Sequence, residues 1–439
     1  MMKFFLLVVL FQIPLLGSAQ EEKKFGIEFS GYVKTDISFD SRQTEDVREG
    51  HFLLYPKNEL FDFDGNDINA TPKFNILSIQ TRLAGTISGP DFLGAKTSGL
   101  IEGSFFGNIN SDINGFRLRH AMVQLIWDRT EIMVGQYWHP MFVTSCFPGT
   151  ISFNTGAPFQ PFARNPQIQI TKKLWNINVI GTLAEQVDFV STGPDGGSPK
   201  YLINSALPEL NLRLEYKSDD LLFGIGGNYK SLLPRMYVET FDTLHVQGIK
   251  IKTNERIAGK SFFAYLKINS KQLTYKFYGI LGQLMYSMTN LGGYAEKEFI
   301  MEDFLPEPPA GFLNSKLTNI TYTPINTFSA WTDMNSNGKV WQFGFFGGFT
   351  KNLGANDSIS TAGKVYARGA NIKYVYRISP RAIYTNGKFK VAPEIEYTVA
   401  AYATTDEETG LTNINEKGVV TDSKEIGNFR FLLGVYYLF

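Results

Sequence analysis

From Phe25 to Phe39 the chain alternates without a break. One face reads Phe25, Ile27, Phe29, Gly31, Val33, Thr35, Ile37 and Phe39; the other reads Gly26, Glu28, Ser30, Tyr32, Lys34, Asp36 and Ser38. Successive strand side chains point to opposite faces, so this segment carries one apolar surface and one charged, wet one. Soluble strands usually run about 3 to 10 residues, whereas about 15 suits a tilted crossing of a bilayer with some protrusion beyond it. The pattern recurs. Leu77, Ile79, Thr81, Leu83, Gly85 and Ile87 oppose Ser78, Gln80, Arg82, Ala84 and Thr86. Leu210, Leu212, Leu214 and Tyr216 oppose Asn211, Arg213, Glu215 and Lys217. Phe389, Val391, Pro393, Ile395, Tyr397 and Val399 oppose Lys390, Ala392, Glu394, Glu396 and Thr398, and the end of the chain puts Phe429, Phe431, Leu433, Val435, Tyr437 and Phe439 on one face.

Reading such segments end to end predicts strands at 25–39, 74–88, 95–107, 116–127, 131–138, 166–175, 177–188, 207–217, 221–230, 259–269, 272–287, 326–334, 339–351, 364–378, 388–402 and 427–439. That makes about sixteen, with 14 or 18 as alternatives at the accuracy of such boundaries. The connectors alternate in length: short at 89–94, 128–130, 176, 218–220, 270–271, 335–338 and 379–387, long at 40–73, 108–115, 139–165, 189–206, 231–258, 288–325, 352–363 and 403–426. Outer-membrane barrels sort their loops this way, with short periplasmic turns, longer extracellular loops and an even strand number. Lipid leaves open backbone groups unpaired, so spanning strands must close into a barrel. The expected fold is therefore all-β: a transmembrane antiparallel β-barrel in the outer membrane of a diderm bacterium, both termini periplasmic. About sixteen strands are expected to leave an aqueous lumen instead of a packed core.

Composition agrees. The 439 residues carry 42 Lys+Arg against 42 Asp+Glu, which argues against bulk attraction to nucleic acid or to anionic lipid, so no nucleic-acid partner is expected. The single Cys excludes an intrachain disulfide framework and a Cys-rich zinc site. The 14% of aromatic residues fits interfacial girdles around an outward apolar band. Residues 1–19 read as a signal peptide: Lys3 in the n-region, an apolar core from Phe4 to Leu16, and small residues before a cleavage site after Ala19. The mature 20–439 then forms a single barrel.

The terminal Phe439 looks like the assembly signal of outer-membrane barrels. A more specific likeness lies in the N-terminal third, over residues 74–175. The runs Ser78-Ile79-Gln80-Thr81-Arg82-Leu83, Leu100 to Gly107, Phe116 to Val123, Gly135-Gln136-Tyr137-Trp138 and Arg164-Asn165-Pro166-Gln167-Ile168 resemble the DcaP-like trimeric porins. Ser104 stands where that family would have an acidic residue. The resemblance implies a homotrimer of 16-stranded barrels embedded in outer-membrane lipid, passing small polar solutes by passive diffusion, often with a preference for anions.

Candidate site residues follow from strand parity. The segment 139–165 follows the fifth strand, where general porins fold a constricting loop inward, and it contains no Asp or Glu. Lumen-side positions offer Arg82, Lys96, Arg117 and Arg119, with Glu102 as the counter-charge, and Arg164 closes the loop. Cationic rings favour anions. The competing reading pairs these cations with carboxylates such as Asp36, Glu394 and Glu396. On strand four His120 and Gln124 share the phase of Phe116, Leu118 and Met122, so that face is expected to meet another subunit. Asp62 to Asp67 reads as an acidic turn, since an EF-hand needs Gly at its sixth position where Asp67 stands. No metal, cofactor or catalytic constellation is called for: the His residues lack HExxH spacing and no Gly-x-Ser-x-Gly elbow occurs. The sequence thus reads as a non-enzymatic porin; the alternatives are an outer-membrane barrel lipase or protease, and a non-conducting barrel whose long loops bind a partner.

Overall fold

The computed structural model describes residues 25–107, 112, 114–240, 248–303 and 315–439. The signal segment 1–19 and part of the loops around residues 110, 244 and 309 lie outside them. Sixteen antiparallel strands close on themselves. They are β1 (Gly26–Asp40), β2 in two segments (Lys73–Leu77 and Arg82–Ser88), β3 (Lys96–Ser104) and β4 (Arg117–Ile126). Next come β5 (Thr130–Trp138), β6 (Arg164–Leu174), β7 (Ile177–Ala184) and β8 (Glu209–Lys217). The third quarter is β9 (Leu221–Leu232), β10 (Ile257–Asn269), β11 (Leu273–Gln283) and β12 (Ser315–Ser336). Last are β13 (Trp341–Ala355), β14 (Ile372–Asn386), β15 (Phe389–Ala403) and β16 (Ser423–Leu438). The ladder from Tyr32↔Leu438 to Asp40↔Arg430 joins β16 to β1, and Phe439 exchanges backbone hydrogen bonds with Gly31 (3.1 and 3.2 Å).

The faces are inverted relative to a soluble protein. Ile27, Phe29, Leu212, Phe262, Phe343 and Phe431 point out, while Lys34, Asp36, Asp333, Arg377, Glu396 and Arg430 are buried inside. Outward apolar side chains and paired backbone groups are what hydrocarbon demands of a spanning wall.

Four sequence readings need correction. The predicted strand 364–378 is β14 at Ile372–Asn386, turning at Gly387. Ser379 and Pro380 look like a turn, but Pro380 sits in the strand opposite Phe345, and the β14–β15 ladder skips both residues instead of ending there. In β2 the alternation is broken between Leu77 and Arg82, which switches its phase. Phe74 and Ile76 face out, Ile79 is buried, and Leu83 faces out again. In β4 the switch is a β-bulge: Gly103 opposes Leu118 and Glu102 opposes His120, leaving Arg119 unpaired in the ladder. Arg119 and His120 are consequently both buried while Val123 is exposed, so His120 and Gln124 leave the outer face. Their polarity therefore gives no reason to place a subunit contact there.

The fourth concerns the lumen, which is crossed by an apolar cluster. Phe52, Leu54 and Tyr55 from the first long loop meet Phe142, Phe153, Phe159 and Phe162 of the segment after β5. The wall adds Tyr265, Tyr278, Trp331 and Phe346. Burying one such side chain is worth about 1.5–3 kcal/mol, so the cluster seats both loops inside the barrel.

Candidate pore constriction

The segment 139–163 leaves the end of β5 and returns at the start of β6. Its backbone is held by side chains from around the wall. Glu394 of β15 accepts the N–H groups of Ile151 (2.8 Å) and Ser152 (2.7 Å), and Asp333 of β12 accepts that of Gly149 (3.1 Å). Asn154 donates to Glu396 (2.9 Å). Lys34 donates to the Ile151 carbonyl (2.9 Å), Arg377 to Ala157 (2.9 Å), Arg213 to Pro140 (3.0 Å) and Tyr278 to Met141 (3.0 Å). A segment lacking carboxylates of its own can accept this arrangement without like-charge repulsion, and wall groups satisfy its backbone where water is excluded.

Beside its two ends stands a cation cluster built on two carboxylates. Glu102 accepts from Arg119 Nε (2.6 Å), with Arg82 Nε at 3.5 Å and His120 Nε2 at 3.8 Å. Asp188, in the loop after β7, accepts from Arg164 Nε (2.9 Å) and Nη2 (2.7 Å) and also binds Arg117. Aromatic rings support the guanidiniums: Arg164 lies 5.0 Å from the Trp138 ring centre and 5.5 Å from Phe162, and Arg82 lies 5.2 Å from Tyr32. Arg48, dipping in from the first loop, stands 5.6 Å from the Phe106 ring. Burial, then the nearby Arg117 and Arg164, push its pKa down to about 10 against the pull of Asp188. Among the described residues, five guanidiniums gather around these two carboxylates.

Next to this cluster lies a cavity of about 550 Å³ between the segment 139–163 and the wall. Its cations are Arg82, Arg119 and Lys390 and its rings include Tyr32, Tyr137, Trp138 and Tyr436; among the described residues no carboxylate lines it, Glu102 lying behind Arg82 and Arg119. The structure thus brings Arg82, Glu102, Arg117, Arg119 and Arg164 together. Lys96 does not join them. It is the first residue of β3, exposed and opposite Ile126 at the short-turn end, six residues along the strand from Glu102. Of the suggested counter-charges, Asp36 pairs with Lys34 (3.0 Å), Glu396 pairs with Arg377 (3.4 Å), and Glu394 is taken up by the loop backbone. Sequence reasoning missed Asp188 and Arg48, which sit in loops without periodicity. Lys390 had a signal, since it lies on the wet face of its strand. The Asp62 carboxylate is used by its own turn, accepting the N–H groups of Asp64 (2.9 Å) and Asn66 (2.8 Å).

A closed sixteen-stranded barrel with a loop folded inward is the architecture of outer-membrane channels. The DcaP outer-membrane channel of Acinetobacter baumannii superposes with a TM-score of 0.65 at 14% identity, over 94% of this chain and 97% of that one. OmpT, an outer membrane protein of Vibrio cholerae in its trimer form, gives 0.52 at 10% identity over 95% and 100%. An anion-selective porin from Comamonas acidovorans gives 0.51 at 11% over 95% and 100%. At these identities the likeness is one of fold, and at that level the resemblance read from residues 74–175 is met. No protein-family model matches the chain, and no curated protein matches it.

Proposed function

We propose that the chain is an outer-membrane channel that admits small polar solutes by passive diffusion and prefers anions, working without catalysis as a homotrimer with periplasmic termini. The observation that carries the reading is the cavity beside the inward segment, whose lining carries the three cations Arg82, Arg119 and Lys390, while Glu102 behind it pairs with the two arginines. Cations on a low-dielectric wall concentrate anions and raise the barrier for cations. The anion selectivity of the Comamonas acidovorans porin and the trimer form of OmpT are in keeping with it. Reversal potentials in a salt gradient across a planar bilayer test the preference: the sign for anions is expected, and the sign for cations would contradict it. A second reading, a barrel closed by its own lumen, is favoured by the apolar cluster of Phe52, Phe142, Phe153 and Phe162 across the path. It predicts no conductance at all.

A further inference from the structure

The lipid face of β6 to β10 is not uniform. One register row reads Ile170, Gly181, Leu212, Gly227 and Phe262 from strand to strand. Two glycines alternate with large apolar side chains, so the wall is dented twice at one level. A Cβ built on Gly181 meets nothing within 4 Å, and the nearest atoms to one on Gly227 are the Phe262 ring at 3.8 Å and the Ser261 carbonyl at 3.9 Å. Backbone strain does not call for these glycines, since neither has a positive φ. The dents merge into an apolar groove of about 630 Å³ on the outer surface.

The next row toward the long-loop rim places Tyr229 against Lys260, and the Lys260 N–H donates to Gln283 (3.1 Å). Gln283 in turn donates to Asn326 (2.9 Å). Polar side chains therefore replace Phe262, Leu281 and Phe328 one step up, which marks the level where hydrocarbon gives way to headgroups. Arg256 lies four residues above Lys260, in the same outward phase and also exposed. Among the described residues neither cation makes an ion pair.

We propose that this groove holds a lipid of the outer leaflet: an acyl chain lies in the Gly181–Gly227 dents while a phosphate of its headgroup sits against Lys260, with Arg256 above. A chain in the groove restores the apolar contact that the missing side chains forgo, and the phosphate gives Lys260 the counter-charge the wall lacks. The proposal rests on the wall facing lipid, not on the lumen conducting.

The test is native mass spectrometry of the full-length protein from mild detergent, offered bis-phosphorylated lipid A, its dephosphorylated form, or phosphatidylcholine. The wild type should retain the phosphorylated lipid about fivefold better than its dephosphorylated form, the worth of one basic side chain at a charged interface. Lys260→Gln should abolish that preference, and Gly227→Leu, which fills the dent from outside, should lower retention of all three. Heat-modifiable mobility on gels confirms that each variant is folded. Equal retention by wild type and Lys260→Gln would overturn the proposal. So would a stable oligomer that Gly227→Leu alone dissolves, because a second copy would then be the occupant.

Discussion

Asp188 shows what a single buried carboxylate does here. Burial alone would push its pKa up, but Arg164 and then Arg117 more than reverse that and hold it far below the usual carboxylate range. A depressed folded value means the contribution is fully present above about pH 4 and is lost as pH falls through the folded pKa. Asp188→Asn should therefore flatten the acid side of the unfolding curve below about pH 4. Asp188→Ala should cost about 3–5 kcal/mol, since it leaves two guanidiniums without their shared acceptor. Urea unfolding across a pH series reads both; an unchanged acid slope would show that Asp188 is not the group titrating. For Arg82→Gln and Lys390→Gln the expected change is in selectivity. Each should reduce anion over cation permeability a few-fold, on the order of the 0.5–1 kcal/mol that one partly screened charge contributes. A preference unmoved in both variants would place the selectivity elsewhere.

At the scale of the element, the bulge in β4 makes an unusual deletion tolerable. With Arg119 removed, Leu118 still points out, His120 in and Ala121 out, so the strand regains plain alternation. Loss of Arg119 should leave the folded, heat-modifiable band intact, whereas deleting Val123 turns Gln124 toward lipid and should weaken assembly. Failure of the Arg119 deletion to fold would mean that its pairing with Glu102 is indispensable. The inward segment offers a second test. Glu394→Gln keeps the shape of the side chain but removes the charge that accepts the Ile151 and Ser152 N–H groups. The segment should loosen, and conductance or its fluctuation should rise; identical traces would show that the apolar cluster alone seats it. These two elements also mark where the sequence could be read and where it could not. Long alternating strands such as β1, β8 and β15 were legible because lipid and polar interior impose opposite demands on adjacent residues. The phase switches at Ile79 and Arg119 were not, because each depends on how a neighbouring strand pairs, which no single-strand pattern contains. Parity alone puts Arg82 and Glu102 on the wet face, where they lie 3.5 Å apart, while Asp188 needed the fold to bring its loop over the cluster.

For the whole molecule, two sets of contacts meet in one tube. A neutral chain, with 42 charges of each sign, has sorted them so that the outer face carries few and the interior many. Several interior charges hold the loop, as with Arg377, Glu394 and Asp333, and others pair with one another, as with Arg430 and Asp40. Arg82 and Lys390 are the half-buried cations that line the cavity beside the loop, with Arg119 buried behind them on Glu102. The aqueous lumen that strand number alone suggests is thus largely occupied by the segment 139–163 and the apolar cluster, so the conductance should be well below that of an open sixteen-stranded tube. Single-channel recording of the purified wild-type protein in a planar lipid bilayer tests this most directly. Discrete, small, anion-preferring openings are the predicted result; a membrane that stays silent while the protein is folded and inserted would contradict it.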